Sequence, residues 1–225
     1  MRIRTAIPNA LTLGNLACGV LALWLFARDH TQAGILLILA AALLDVFDGA
    51  VARWLKAQSP VGKDLDSLAD LVSFGVAPAT LLAFSMPSPP NAWQAFLLLL
   101  LPMSSALRLA RFNHDARQTN AFIGVPTPFS GLYLLLVVWS EPFWFFSPLN
   151  TQWGYPLLAL LAAFWLHAPI RLFSFKSLSK SPKAMRWRIS FLALISLLCL
   201  SLGWLGALAI LPAYLLFSMI ENRWP

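Results

Sequence analysis

Apolar residues along this chain come in long runs broken by short polar interruptions. Eight runs stand out, over residues 11–27, 33–53, 65–85, 92–110, 126–146, 153–170, 189–204 and 206–221. They approach or reach the roughly 17–25 residues that a helix needs to cross a bilayer. The pattern predicts an all-α polytopic membrane bundle of about eight transmembrane helices. Gly203 and Gly206 predict a tight reversal between the last two runs. The alternative there is one long helix over 189–221 with an interfacial piece. Residues 1–10 read as an amphipathic or extended lead-in; Asn9, Thr12 and Asn15 fall near the aspartates by topology, and the alternative for Asn9 is a helix cap, with Pro8 stopping the lead-in. Asn15 lies too deep for capping. Pro78 predicts a kink in the third run, and Pro126 and Pro128 suit the first turn of the fifth.

The polar exceptions carry the chemistry. Asp45, Asp48, Asp66 and Asp70 fall within otherwise apolar stretches. An ionised carboxylate in a membrane segment is costly and calls for a partner and a function. Asp45 and Asp48 are i,i+3, and Asp66 and Asp70 are i,i+4, so each pair shares a helix face. The short 54–61 connection makes the two helices antiparallel neighbours, and the four carboxylates can then meet around one or two cations. Hard divalent ions prefer carboxylate oxygens, which points to chemistry on a phosphate ester. Gly49 and Ala52 lack bulk, so a ligand can approach the backbone. Arg53 adds a positive fork suited to phosphate. Arg108 and Arg111 are i,i+3 at the end of the fourth run, so both can point one way, towards the aspartates; the alternative is anchoring by the positive-inside rule.

Composition excludes a soluble domain: 59% of residues are hydrophobic, 11% are charged, and mean hydropathy is +0.72. The net charge of +7 invites a nucleic-acid reading, but its distribution argues against one. Fifteen of the sixteen Lys and Arg residues fall in loops that alternate to one side, Arg28 being the exception. The positive-inside rule puts both termini and the aspartates at the cytoplasmic face. The basic 176–188 stretch reads as topology plus attraction to anionic head groups. The N-terminus does not look like a cleavable signal. Cys18 and Cys199 read as small buried hydrophobes, and Trp93, Trp153, Trp187 and Trp224 suit interfacial belts. Asp64 reads as a solvated charge or a first-turn helix carboxylate, Glu141 as a solvated interfacial charge and His167 as a satisfied polar residue; His30 and His114 carry no signal. With no internal repeat, residues 1–225 read as one membrane domain.

The run Asp45-x-x-Asp48-Gly49-x-x-Ala52-Arg53, eight residues, then Gly62-x-x-x-Asp66-x-x-x-Asp70 is the signature of the CDP-alcohol phosphatidyltransferases, and every defined position is present. Further segments resemble the membrane-embedded phosphatidylserine synthases of that family. They are 7–16, 66–78, Arg108-Leu109-Ala110-Arg111-Phe112-Asn113, and Phe173-Ser174-Phe175-Lys176. The resemblance implies a six-helix core over 1–180, followed by a basic loop and C-terminal membrane helices over 181–225. It implies transfer of a phosphatidyl group from CDP-diacylglycerol to L-serine, giving phosphatidylserine and CMP, on magnesium or manganese, or calcium, as two ions. Asp45, Asp48 and Asp66 would then ligate metal, and Asp70 would ligate metal, act as the base, or both. Gly49, Ala52, Arg53 and Gly62 would shape the cytidine and diphosphate site, with Asn9 and Thr12 bordering it. Arg108, Arg111 and Asn113 are candidates for gripping the acceptor carboxylate or the donor phosphate. A lipid-facing groove would take the diacyl tails. The resemblance also implies a homodimer in a prokaryotic cytoplasmic membrane. A phosphorylated acceptor, such as glycerol 3-phosphate or inositol phosphate, and an ether-linked donor are the alternatives within the family. An ion-coupled transporter predicts midplane carboxylates and related halves, and the clustering at one face disfavours it.

Overall fold

The computed structural model describes residues 2–114, 122–140, 151–172 and 182–223. Arg117, Glu141, the 173–176 segment, Lys180 and Trp224 lie outside the described residues. The chain divides into two compact units, Met1–His114 with Thr127–Leu166, and Asp115–Pro126 with His167–Pro225.

The first unit opens with α1 (Arg2–Phe26), which is helical throughout, with Pro8 inside it. This corrects the extended form of the lead-in and the capping alternative for Asn9. So near a helix start, Pro8 deprives only the Arg4 carbonyl of an intrahelical donor, and a membrane-surface end can solvate it. A turn over 27–30, with Asp29 left-handed at φ 59°, reverses the chain into α2 (Thr31–Trp54). Gly34 allows the reversal to close, because any Cβ there would overlap the Phe26 ring. α3 (Pro60–Asp70) starts on Ser59, whose Oγ accepts the Gly62 N–H at 3.0 Å, with Pro60 in the first turn.

α3 passes through a π-helical turn, Leu71–Val76, into α4 (Ala77–Phe84). Pro78 cannot donate to the carbonyl of Phe74 and crowds it. The wider turn relieves that clash without breaking the helix, so the expected kink takes the form of a π bulge. α5 (Ala92–His114) begins with a reciprocal cap. The Gln94 N–H donates to Asn91 Oδ1 at 3.0 Å, and the Asn91 N–H donates to Gln94 Oε1 at 2.9 Å. α6 (Thr127–Trp139) packs on the π turn, and α7 (Gly154–His167) is tied to α6 by Trp165 Nε1 donating to Ser130 Oγ at 2.9 Å.

In the second unit, β1 (Phe122–Ile123) and β2 (Arg171–Leu172) form a minimal antiparallel ladder, pairing Phe122 with Leu172 and Ile123 with Arg171. It is a small exception to an otherwise helical architecture. α8 (Pro182–Leu202) reverses at Gly203, φ 60°, through a 3₁₀ segment (Gly203–Ala209) into α9 (Ile210–Arg223). Trp187 and Phe191 meet Phe217 edge to face, and Phe191 also meets Tyr214, which holds the two helices as an antiparallel hairpin.

Among the described residues, five helices are long and apolar enough to cross a membrane: Thr5–Phe26, Thr31–Trp54, Pro60–Phe84, Ala92–His114 and Met185–Leu202. Shorter apolar helices occupy Thr127–Trp139, Gly154–His167 and Leu205–Ile220, so each apolar run of the sequence contains a helix. Leu36, Leu43, Val46 and Phe47 of α2 are exposed, as lipid-facing residues should be. The protein is an integral membrane helix bundle.

Candidate active site

The carboxylates come from the last third of α2 and from α3. One oxygen each of Asp45, Asp48 and Asp66 lies within 4.8 Å of the others. Asp45 is also within hydrogen-bonding reach of Asp70, so it sits between Asp66 and Asp70. Asp48 and Asp70 are buried. Asp70 Oδ1 has no hydrogen-bond partner. Four clustered carboxylates repel one another, and a buried orphan oxygen is costly. A hard divalent cation would relieve both, so the donor set fits such an ion.

α1 supplies the polar wall. Thr12 Oγ1 donates to Asp48 Oδ2 at 2.5 Å, with the Pro8 carbonyl at 3.0 Å as the competing acceptor. The hydroxyl proton thereby fixes the orientation of a buried carboxylate. Asn15, one turn deeper, is fully buried and lies beside Asp70. The pairing is too loose for a full hydrogen bond, and neither amide atom of Asn15 has a partner. Its backbone carbonyl accepts from Ser73 Oγ at 3.1 Å.

Next to the carboxylates opens a cleft of about 620 Å³ between the N-terminal part of α1, the C-terminal end of α2 and the start of α3. Asn9, Thr12, Gly49, Ala52, Arg53 and Gly62, all singled out by sequence, line it together with Asp48 and Asp66. Its volume is in the ordinary range for a small-molecule site. Arg53 and Lys63 bring positive charge to the rim. Gly62 has a local reason to be glycine: a Cβ there would lie 3.0 Å from Ser59 Oγ and 3.3 Å from Asn9 Oδ1. Its absence lets α1 approach α3. At Gly49 a Cβ would meet Arg53 Nη1 at 3.4 Å, ordinary contact, so smallness there serves the open space of the cleft.

The three residues expected to form one grip are separated. Arg108 is buried, close enough to Asp70 for direct coulombic attraction, with Nη1 3.4 Å from Thr127 Oγ1. Arg111 is exposed, so of the two guanidinium groups only that of Arg108 is buried beside the aspartates. Asn113 is engaged with α3: its amide donates to Ser67 Oγ at 2.9 Å and to Asp64 Oδ1 at 3.5 Å, while its carbonyl accepts from Lys63 Nζ at 2.9 Å. Asp64 is thus an exposed carboxylate with a hydrogen-bond partner. Sequence reasoning left Gln58, Ser59 and Lys63 out of the cleft lining. The Ser59-Pro60 pair is a legible helix start, and Lys63 adjoins Gly62; Gln58 gives no signal.

The profile of the CDP-alcohol phosphatidyltransferases matches residues 5–168. The CDP-diacylglycerol–serine O-phosphatidyltransferase of Bacillus subtilis is 39% identical over 132 residues, 58% of this chain and 74% of that one. The enzyme of the same name from Mycobacterium leprae is 42% identical over 130 residues, 54% of this chain and 43% of that one. The chain thus spans less than half the length of that mycobacterial relative. Its Helicobacter pylori counterpart is 28% identical over 223 residues, 96% of this chain and 90% of that one.

Proposed function

Since the chain belongs to the CDP-alcohol phosphatidyltransferase family, we propose that it transfers a phosphatidyl group from CDP-diacylglycerol to L-serine, releasing phosphatidylserine and CMP. The observation that carries this reading is the junction of four clustered carboxylates with a cleft whose rim is basic. The shared name of the bacterial relatives supports serine as acceptor. So does the local charge. Among basic residues of the first unit whose side chains are described, Arg108 alone is buried. One guanidinium suits one carboxylate, whereas a phosphorylated acceptor calls for a denser basic pocket.

With magnesium, manganese or calcium held by Asp45, Asp48, Asp66 and Asp70, as one ion or two, the site gains the charge that neutralises the donor diphosphate and polarises its phosphorus. The protein's residues do the rest. Gly49, Ala52 and Gly62 let the nucleotide lie against the α2 and α3 backbones, and Asn9 and Thr12 border it. Arg53 and Lys63 attract the diphosphate. Thr12 holds Asp48 in one orientation. Asp70 accepts the serine hydroxyl proton as the oxygen bonds to the lipid-bearing phosphorus and the bond to CMP breaks. The basic loops support a site on the cytoplasmic side, and the bacterial relatives support a prokaryotic inner membrane. We further propose a homodimer, which mass measurement of the detergent complex checks.

The deciding experiment is CMP release by purified protein with CDP-diacylglycerol, Mn²⁺ or Mg²⁺, and serine, glycerol 3-phosphate or inositol phosphate in parallel. Serine-dependent release that vanishes with EDTA and with Asp70→Asn is the expected result. Release only with a phosphorylated acceptor would keep the family and reject serine.

A further inference from the structure

The connection between α2 and α3 presents two sets of side chains. Ala57, Gln58, Ser59 and Pro60 line the cleft. Trp54 and Lys56 are not part of that lining, and both are exposed, Trp54 by 82%. The end of α2 is closed by a Schellman cap. The Lys56 N–H donates to the Arg53 carbonyl at 3.2 Å, and the Ala57 N–H donates to the Ala52 carbonyl at 2.9 Å. The cap needs one left-handed residue, and Lys56 supplies it at φ 50°. Glycine is the usual choice there, because a Cβ strains that conformation. The matching turn after α1 uses Asp29 at φ 59°, and a short polar side chain tolerates the region. Lysine has no such local advantage. A lysine serving topology alone could occupy any relaxed position of the loop, so one held in a strained position points to a use for its side chain.

The length of α2 sets the depth of that position. Its 24 residues span about 36 Å at 1.5 Å per residue. A helix of that length crossing a bilayer outruns the hydrocarbon core, about 30 Å, but not the roughly 40–45 Å that includes the head-group layers. Trp54, its last residue, therefore ends among the head groups, the level that indole rings favour. Lys56 follows two residues later. From 53 to 63 the chain carries Arg53, Lys56 and Lys63 and no acidic residue. Such a segment, at the level of the lipid phosphates, is complementary in charge to an anionic head group.

We propose that Trp54 and Lys56 form a membrane-surface anchor that binds an anionic phospholipid of the leaflet on the cleft side, with Trp54 at the boundary of head groups and acyl chains and Lys56 on the head-group phosphate. This lipid is not consumed at the cleft, so the inference goes beyond the transferase reading and does not depend on it. The anchor ties the cleft wall, Ala57 to Pro60, to the bilayer surface.

Fluorescence quenching in phosphatidylcholine vesicles tests it on the full-length protein, with Cys18 and Cys199 replaced by serine and a fluorophore attached through Trp54→Cys. The quenchers are phosphatidylglycerol or phosphatidylcholine carrying a nitroxide at the top of one acyl chain, and acrylamide, which is neutral and stays in water. Both lipids should quench, acrylamide should quench weakly, and phosphatidylglycerol should quench more strongly than phosphatidylcholine. Lys56→Gly should lower that preference about fivefold, the contribution of one basic residue at an anionic surface. Salt at about 1 M should lower it too, because the screening length falls to about 3 Å. The melting midpoint of Lys56→Gly should equal or exceed that of its parent, since glycine relieves the left-handed strain; a lost preference is then not a folding defect. Strong quenching by acrylamide with little from either lipid would overturn the anchor. An unchanged preference in Lys56→Gly would overturn the place of Lys56 in it. Neither readout needs catalysis, so failure here leaves the transferase reading standing, and failure of CMP release leaves the anchor standing.

Discussion

At the residue scale, Thr12 is the most informative side chain outside the carboxylates. Its hydroxyl proton is the one short contact made to Asp48 from outside α2, at 2.5 Å, among the hydrogen bonds described. Thr12→Val keeps the shape and removes the donor. Asp48 remains buried, with less to fix its orientation. By analogy with residues that orient metal ligands, the half-saturating Mn²⁺ concentration should rise by about 10–100-fold, while melting temperature without metal changes little. Metal titration of CMP release checks this, and an unchanged metal requirement would mean that Asp48 is held otherwise. The aspartates were legible in the sequence because carboxylates in apolar runs have few physical excuses. The Arg108 and Arg111 pair was not fully legible. Positions three apart on a helix share a face only loosely, about 60° apart around the axis and about 4.5 Å along it. At the end of α5 that offset leaves Arg108 covered and Arg111 in the open.

At the scale of elements, α3, the π turn and α4 act as one rod against which the others register. Its closest backbone approach is to α6. A Cβ on Gly131 would lie 2.7 Å from the Phe74 carbonyl oxygen and 2.9 Å from Phe74 Cα. Both are backbone atoms, which cannot rotate away. Gly131→Ala must therefore push α6 off the π turn, at about 1–3 kcal/mol by the usual cost of overpacking. Thermal unfolding in detergent should show a lower midpoint, and activity should fall, since Asp70 is one turn before Phe74 on the same rod. An unchanged midpoint would show that α6 can slide freely. A milder case is Ser59→Ala, which removes the cap on α3. It should cost about 1 kcal/mol and loosen the cleft floor, read as a raised KM for CDP-diacylglycerol. The apolar runs gave the helices and Pro78 gave the place of the distortion. Neither told that an extra residue is accommodated in the turn, because that depends on Ser73, Phe74 and Gly75 being packed against α1, α5 and α6. Pro8 misled for the converse reason: in the second turn of a helix it forfeits a single intrahelical bond, whose carbonyl lies near the helix end where water can reach it.

At the scale of the whole molecule, orientation decides which substrates the cleft can meet. The 27–30 turn and the cleft lie at opposite ends of α2, whose 24 residues span about 36 Å at 1.5 Å per residue. That length exceeds the hydrocarbon core of a bilayer, about 30 Å, so the two ends face different compartments. Arg28 is the lone basic residue at one end, and Arg53, Lys56 and Lys63 crowd the other. The positive-inside rule therefore predicts that the cleft opens on the cytoplasmic side. The chemistry agrees, because serine and CMP are charged solutes that do not cross lipid unaided. After replacement of Cys18 and Cys199 by serine, a single cysteine can report each end. His30 and Val61 are both exposed, and neither belongs to the carboxylate cluster. His30→Cys should react with a membrane-impermeant maleimide in intact cells, and Val61→Cys only after permeabilisation. The reverse pattern would turn the active site outward, and with it the requirement that CDP-diacylglycerol present its nucleotide on the cytoplasmic leaflet.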